Sequence, residues 1–180
     1  MQLTCLNETL SHGLSRVGRA TFPRATALPI LGHVLLEATP GALTLAASNL
    51  EWHIVQRIPA EVVTPGRVTV PAAAFAEWVK MLPAGLTSEL TLDATSLTLS
   101  VACEPVKASF RGLDATTFPL LPEPDADSVE VEADALRAAL TRVAFAASED
   151  AARPVLMAVL AHFAGETLTL AAADGFRLSE

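Results

Sequence analysis

The sequence predicts an α+β fold in which β-α-β-β-β units repeat and the helices lie on one face of antiparallel sheets. Three observations lead to this prediction. Short runs of alternating apolar and polar residues between Pro-Gly turns indicate strands. Apolar residues at helical spacing indicate amphipathic helices. Finally, the segment 28–54 recurs at 153–179 without a gap, which indicates one structural unit built more than once.

The repeat is visible letter by letter. The segment LPILGHVLLEATPGALTLAASNLEWHI returns as RPVLMAVLAHFAGETLTLAAADGFRLS, so Pro29 falls on Pro154 at an offset of 125 positions. The apolar pattern of the helix before this segment also recurs, at an offset of 126, and places Arg142 at the position of Arg16. We therefore expect two copies of the same unit.

The first unit begins with a short strand around Leu3 and Cys5. Asn7 is the expected N-cap of a helix of about three turns. After a loop at 18–29, two strands at 30–38 and 43–48 form a hairpin around Pro40-Gly41, and a third strand runs from Leu50 to Ile58. The predicted apolar stripe of the helix consists of Leu10, Leu14 and Val17.

The same order of elements follows after a turn at Pro65-Gly66. A strand with Val68 and Val70 leads to a helix that Pro71 opens, and Pro83 and Gly85 end this helix. Three strands follow, with Leu90 and Leu92 in the first, Leu97 to Val101 in the second and Val106 to Gly112 in the third. The predicted apolar face of this second helix consists of Phe75, Trp78, Val79 and Leu82.

Residues 114–128 have the composition of a linker. They contain three prolines, and seven acids with no base lie from Asp114 to Asp134. We place the first domain at 1–123 and the start of the second at 124–180. A short strand at Val129 and Val131 is expected to open the second domain. Because the repeat stops inside its third strand, we expect 124–180 to be the first half of a truncated domain.

Composition limits the possible functions. Of the 180 residues, 51% are hydrophobic, enough for a sizeable core, and the 18% that are charged argue against disorder. A net charge of −8 argues against binding nucleic acid by charge alone, although a local basic surface remains compatible with it. Two cysteines are too few for a disulfide framework. With neither a signal-peptide nor a membrane-span pattern, a soluble cytoplasmic protein is expected.

The sequence contains no recognisable catalytic constellation, so we expect neither an enzyme nor a cofactor nor a metal site. There is no glycine-rich phosphate loop and no G-x-S-x-G elbow. The acidic pair Glu149-Asp150 lies in a loop without partners of catalytic type. The four histidines, which lack metal-ligand spacing, are His12, His33, His53 and His162.

Arginines recur on the exposed side of the predicted helices. Arg16 lies about 120° from the apolar stripe of the first helix, at ~100° per residue, and Arg142 occupies the same place in the second unit. Arg19, Arg24 and Arg137 extend this group. One hypothesis is a phosphate-binding face; the alternative is an ordinary solvated helix face. Recurrence at the same position favours the first.

Several motifs resemble those of the bacterial DNA polymerase III beta subunit family, the sliding clamps. They are LPILGHVLLEA, LTLAASNLE, VTVPAAAF, ASFRGLDATTFPLLP, and RPVLMAVLAHF followed by LTLAAADGFRL. The resemblance implies the DNA-clamp fold, of which this chain is the N-terminal part. It also implies a homodimeric ring around double-stranded DNA, without a catalytic site, that tethers the replicative polymerase.

The resemblance also assigns sites. An arginine in the loop before LPILG contacts DNA in the family, and Arg24 matches it. The equivalent loop of the second unit has Asp150 near the contact position, so that contact is not transferred. A peptide pocket in the family takes polymerases, clamp loaders and repair proteins. Its matching positions here are Arg153, Leu156, Ala173, Gly175, Phe176, Arg177 and Leu178.

The last strand of the first domain is a further predicted interface. Charged side chains alternate with apolar ones along Val106 to Gly112, and an exposed sheet edge can pair with another chain. By resemblance this strand closes the ring through Lys107, Phe110 and Arg111. The alternative is an ordinary charged edge. For the whole chain, the alternative function is a truncated peptide-binding module that does not encircle DNA.

Overall fold

A computed structural model describes residues 1–22, 28–120 and 129–180. The chain divides into two compact units, Met1–Pro122 (unit 1) and Glu123–Glu180 (unit 2). Arg24 and most of the predicted linker lie outside the described residues. Among the described helices, none is both long and apolar enough to cross a membrane.

Unit 1 contains two α-helices and nine strands in its described part. Apolar residues at helical spacing form α1 and α2, and alternating residues form the strands. The first half comprises β1 (Gln2–Leu6), α1 (Asn7–Val17), β2 (His33–Thr39), β3 (Ala42–Ser48) and β4 (His53–Pro59). The second comprises β5 (Glu61–Thr64), β6 (Gly66–Pro71), α2 (Ala72–Lys80), β7 (Thr87–Asp93), β8 (Thr98–Cys103) and β9 (Val106–Arg111).

The two sheets of unit 1 exchange strands between the halves. One sheet has the order β4-β3-β2-β6, and the other has the order β5-β1-β7-β8-β9. Strand β6 of the second half therefore pairs with β2 of the first, with Val34 opposite Val70. Conversely, β1 pairs with β7, with Leu3 opposite Leu90. All pairings are antiparallel, and the α+β class predicted from the sequence is confirmed.

One apolar core joins both helices to both sheets. The predicted stripe of α1 is fully buried, and Phe75 and Val79 bury the matching face of α2. The opposite face of the four-stranded sheet is covered by a second cluster, which includes Leu31 and Phe118. Burying a side chain of leucine or phenylalanine size contributes about 1.5–3 kcal/mol, so these clusters supply the main stabilisation of unit 1.

A backbone bridge after β9 ties the two sheets together. Leu113 N donates to Thr69 O at 3.0 Å, and Thr69 N donates to Leu113 O at 3.3 Å. This approach requires Gly112, because a β-carbon there would overlap the Thr69 carbonyl oxygen and lie 2.8 Å from Val68 Cγ2. Gly112 is therefore a packing requirement rather than a turn residue.

Asn7 does not cap α1, and that prediction is wrong. Its buried side chain donates from Nδ2 to Pro83 O at 3.0 Å and accepts from Ser88 Oγ at 2.6 Å. The helix follows β1 directly, so Asn7 is already the first helical residue, and its side chain enters the core. There it links α1 to the segment after α2 and to β7.

Several boundaries in unit 1 differ from the predictions; Leu97, for example, lies in the turn before β8 and not in the strand. The segment Pro29–Gly32 forms a 3₁₀ turn, so β2 begins at His33 rather than at residue 30. Strand β4 begins at His53 rather than Leu50, because the residues before it form a tight turn. The helix α2 ends at Lys80, before Leu82.

Strand β5 was not predicted. It pairs with β1, with Leu3 opposite Val62.

Unit 2 has the elements of the first half of unit 1 with one exception. It contains α3 (Ala133–Val143), β10 (Leu160–Ala164), β11 (Thr167–Ala173) and β12 (Leu178–Ser179), with sheet order β10-β11-β12. The strand predicted at Val129 and Val131 is absent; residues 129–132 are irregular. In unit 1 the corresponding strand pairs with β7 and β5, and the described part of unit 2 contains no counterpart of those partners.

Equivalent residues are buried in unit 1 and exposed in unit 2. Leu35 is 7% exposed, whereas its repeat partner Leu160 is 63% exposed. Ile30 is 8% exposed, whereas Val155 is 82% exposed. A smaller cluster around Val143 and Leu170 forms the core of unit 2. Leu35 and Ile30 belong to the cluster that contains Ala115 and Phe118, so the difference shows the cover that the segment after β9 gives to the first half of unit 1.

Substitution of Gly112 tests the bridge between the sheets. We expect Gly112→Ala to lower the free energy of unfolding of unit 1 by about 1–3 kcal/mol, the usual cost of overpacking. The measurement is urea denaturation followed by tryptophan fluorescence. Both tryptophans, Trp52 and Trp78, lie in unit 1, so the signal reports this unit alone.

Gly18→Ala is the matched control. A β-carbon at Gly18 would meet nothing within 4 Å, and the backbone there is helical at φ −56°. This variant is expected to be unchanged or stabilised by up to about 1 kcal/mol. Equal stability of the Gly112 variant and the wild type would contradict the proposed requirement.

Candidate functional site

The turn between β11 and β12 presents the central residues of the predicted peptide pocket. Asp174 Oδ1 accepts hydrogen bonds from the backbone N–H groups of Phe176 at 2.9 Å and Arg177 at 3.0 Å. Gly175 lies inside this turn at φ +93°, a region that glycine adopts without strain. The turn leaves Phe176 95% exposed, so its ring is available to another molecule.

Arg177 is held from two sides. Its Nε donates to Asp174 Oδ2 at 2.9 Å, and its guanidinium carbon lies 5.6 Å from the centre of the Phe145 ring. The second distance is in the range of a cation–π interaction. Arg153, the other arginine of the predicted pocket, is also paired with an acid: its Nε donates to Asp150 Oδ2 at 3.1 Å.

Six of the seven predicted pocket residues line two concavities of unit 2. Leu156, Ala173 and Leu178 line an apolar one of about 430 Å³. Arg153, Phe176 and Arg177 line a more polar one of about 590 Å³, together with Phe145 and Asp174. The predicted set therefore combines an apolar surface with two guanidinium groups.

Sequence reasoning missed Phe145 as a member of this site. It follows α3 without a periodic pattern, and only folding brings it under Arg177. Sequence reasoning also did not identify Asp174 as the partner of Arg177. The spacing of three residues between acid and arginine, present in both Asp150–Arg153 and Asp174–Arg177, is the signal that could have indicated these pairs.

The predicted arginines of α1 are exposed. Arg16 Nη1 donates to Gln56 Oε1 on β4 at 3.0 Å, and Arg19 lies on the 3₁₀ turn that follows the helix. Lys80, which the sequence reasoning did not include, borders a groove between α1 and α2 together with His12. The position of Lys80 in the last turn of α2 is the sequence feature that could have indicated it.

The arginines of α3 differ in their surroundings. Arg137 Nη1 donates to Asp134 Oδ1 at 2.6 Å, and both side chains are exposed, so a neighbouring carboxylate offsets the charge of Arg137. Arg142 is exposed and lines a small groove with Leu168 and Glu180. Asp150, to which the second DNA contact was not transferred, is the ion-pair partner of Arg153.

Strand β9 lies at one edge of the five-stranded sheet. Lys107 and Arg111 are exposed along it. Phe110 is half-buried, and its ring contacts Phe75 edge-on at 5.1 Å and Trp78 at 6.0 Å between centroids. Phe110 therefore fixes β9 to the core of unit 1, while the two cations remain accessible at the edge.

Comparison with known families covers both units. The family described as "DNA polymerase III beta subunit, N-terminal domain" matches residues 1–122, and "DNA polymerase III beta subunit, central domain" matches residues 130–180. The chain belongs to the DNA polymerase III beta subunit family. The family predicted from the sequence motifs is confirmed, and the domain order is that of an N-terminal part.

Individual sliding clamps extend this likeness. The beta sliding clamp of Synechocystis is 38% identical over 190 aligned positions, covering 99% of this chain and 47% of that protein. A crystal structure of the Pseudomonas aeruginosa beta subunit has a TM-score of 0.89 at 28% identity, and covers 99% of this chain and 48% of its own.

The crystal structure of a Bartonella birtlesii sliding clamp bound to griselimycin has a TM-score of 0.87 at 28% identity. The match covers 99% of this chain and 48% of that clamp chain. The clamp fold is thereby confirmed. The chain spans about half the length of the curated relatives it matches.

The acid titration of Asp174 tests the hydrogen bonds in the turn between β11 and β12. The backbone N–H groups of Phe176 and Arg177 hold the pKa of Asp174 below its ordinary value of 3.8, because they donate to the charged carboxylate. A lowered folded pKa means that the carboxylate stabilises the turn above pH 3.8. This contribution is lost as the pH falls through the folded pKa.

Carbon-13 NMR of the Asp174 carboxyl carbon measures its midpoint, which we expect below 3.8 in the folded protein. In a peptide of residues 170–180 the amides are not held in place. There the midpoint should return to the ordinary value of 3.8. A folded midpoint equal to that of the peptide would refute the hydrogen-bonded turn.

Proposed function

We propose that the complete protein is a sliding clamp, a homodimeric ring that encircles double-stranded DNA and tethers the replicative polymerase for processive synthesis. The observation that carries this proposal is the match of both units, in order, to the first two domains of the DNA polymerase III beta subunit. The proposal includes no catalytic site in the clamp itself. It places the protein in the cytoplasm, where it serves DNA replication.

Exposed cations on the helices support the DNA-binding part of the proposal. Arg16 and Arg19 in unit 1 and Arg142 in unit 2 have exposed side chains. Arg24 joins them on the strength of the sequence motif. A ring holds DNA by enclosure, so a few phosphate contacts suffice despite the net charge of −8. Among these arginines, Arg137 has the least support as a phosphate contact, because its charge is already paired with Asp134.

The peptide pocket is the proposed docking site for partner proteins. The apolar concavity at Leu156, Ala173 and Leu178 suits leucine or aromatic side chains, and Arg153 and Arg177 offer hydrogen-bond donors beside it. Such anchoring of a short peptide by a few apolar side chains is common at interfaces. The proposed partners are the polymerase III catalytic subunit, the clamp loader and other proteins with a clamp-binding motif.

Ring closure is assigned to β9. Its outer edge carries Lys107 and Arg111, and Phe110 keeps the strand against the core. In the homodimer this edge would pair with a strand of the partner molecule. The alternative function, a peptide-binding module that does not encircle DNA, shares the pocket but needs neither this edge nor the arginines.

Charge reversal at Arg16 tests DNA binding in the full-length protein. We expect Arg16→Glu and Arg24→Glu each to weaken binding to short duplex DNA. The slope of log K against log salt should decrease by about 0.9 for each phosphate that the protein no longer neutralises. The half-life of the clamp on circular DNA should also shorten.

Arg57→Glu is the matched control. Arg57 is exposed on β4, next to the Gln56 that contacts Arg16 but on the other side of the pleat. Its reversal makes the same charge change and should leave the salt slope unaltered. Identical slopes for the wild type and for the Arg16 and Arg24 variants at low salt would reject the DNA role. If the wild type binds the peptide but is not retained on circular DNA, the alternative function as a peptide-binding module would be favoured.

Truncation of Leu178 tests the peptide pocket. In the full-length protein we expect Leu178→Ala to weaken binding of a fluorescein-labelled peptide ending in Leu-Phe amide by about 5- to 30-fold. This corresponds to a loss of about 1–2 kcal/mol of apolar contact. Fluorescence polarisation gives the affinity, and griselimycin should displace the peptide. Val63→Ala, an exposed apolar truncation in unit 1, should bind as the wild type does.

A further inference from the structure

Arg177 is framed by two residues outside the predicted pocket set. We propose that Asp174 and Phe145 are positioning residues that fix the guanidinium of Arg177, so that its two Nη nitrogens are presented to an acceptor on the bound peptide. This inference rests on the proposed peptide-docking function and specifies how one of its donors is oriented. Neither residue needs to contact the peptide itself.

The two carboxylate oxygens of Asp174 have separate tasks. Oδ1 accepts from the backbone N–H groups of Phe176 and Arg177, which fixes the turn. Oδ2 accepts from Arg177 Nε at 2.9 Å, which fixes the side chain. Because Nε is the donor used, both Nη nitrogens lie outside this ion pair. Only a carboxylate has two acceptors of this kind.

Phe145 restrains the same group from another direction. The guanidinium carbon lies 5.6 Å from the centre of its ring, and arginine commonly stacks on aromatic faces. An arginine held only by Nε could still rotate about that contact. The aromatic ring limits this rotation, so the orientation is set before a peptide arrives. Preorganised donors bind more tightly because less conformational entropy is lost on association.

The first copy of the repeat supplies an internal comparison. Asn49 occupies the position of Asp174, and its Oδ1 accepts from the N–H groups of Glu51 at 3.1 Å and Trp52 at 2.9 Å. The turn is therefore preserved with an amide. Trp52 stands where unit 2 has Arg177, so there is no guanidinium to hold. The carboxylate occurs in the copy that has the arginine.

Arg153 is held in the same manner, which extends the pattern. Its Nε donates to Asp150 Oδ2 at 3.1 Å. Its Nη1 lies close to Gly175, 3.4 Å from the position that a β-carbon of residue 175 would occupy. Arg153 and Arg177 thus both donate their Nε–H group to a carboxylate of the same chain. The bound partner is consequently a peptide that offers carbonyl or carboxylate oxygens next to its apolar side chains.

The decisive experiment is a double-mutant cycle in the full-length protein. Isothermal titration calorimetry with the unlabelled peptide ending in Leu-Phe amide gives the affinities. A neutral amide end removes any general attraction between the peptide terminus and arginine. We expect Asp174→Asn to weaken binding about 5- to 10-fold, Phe145→Leu about threefold, and Arg177→Ala at least as much as Asp174→Asn. Adding Asp174→Asn to Arg177→Ala should cause no further loss.

A spectroscopic signature separates positioning from a structural role. The Nε–H proton of Arg177 should give a protected NMR signal in the wild type and lose that protection in Asp174→Asn. The thermal midpoint should stay unchanged, since Asn49 shows that asparagine supports the same turn. Asp93→Asn is the charge-matched control, because Asp93 holds the turn after β7 in unit 1 through Thr95 and Ser96.

The outcomes are distinguishable. Failure of the wild type to bind the peptide would overturn the proposed docking function. Wild-type affinity in Asp174→Asn, with the wild type itself binding, would overturn the positioning role alone. An equal loss from Asp174→Asn with and without Arg177 would also overturn it, because the effect would then belong to the turn.

Discussion

The exchange of one strand between the two halves of unit 1 makes each sheet a joint product of both halves. Strand β6 completes the sheet of the first half, and β1 joins the sheet of the second. The apolar faces of α1 and α2 then meet in a single core. Neither half can bury its sheet without the other, which is why Leu36 is fully buried in unit 1 while its repeat partner Ala161 is exposed in unit 2.

Much of this fold could be predicted from periodicity, since the helix stripes and most strands follow spacings of 3.6 and 2. The errors arose where side chains or tertiary contacts overrode the local pattern. Leu50 and Trp52 alternate as in a strand, yet the Asn49 side chain closes a turn there, and Leu50 adopts φ +75°. Strand β5 has only four residues, and its two valines are adjacent rather than alternating, so only its pairing with β1 defines it.

The candidate site was predictable to the extent that it is written in contiguous motifs. The segment around Arg177 and the segment around Leu156 were found in this way, and folding places them along adjoining concavities. Phe145 was not predictable, because its role depends on a contact across 32 positions of sequence, from 145 to 177. The ion pair between Asp150 and Arg153 was not predicted either, because the sequence reasoning considered the acid alone.

The two copies of the turn show that a repeated unit can keep its backbone hydrogen bonds while its side chains change. The backbone is secured by a single side-chain oxygen, which asparagine and aspartate both provide. The remaining side-chain atom is then free to change without loss of the fold. In unit 1 it is an amide nitrogen beside Trp52, and in unit 2 it is a carboxylate oxygen that binds Arg177. Because the turn and the contact with Arg177 depend on different atoms of one residue, the proposed peptide recognition could diverge while the turn stayed the same.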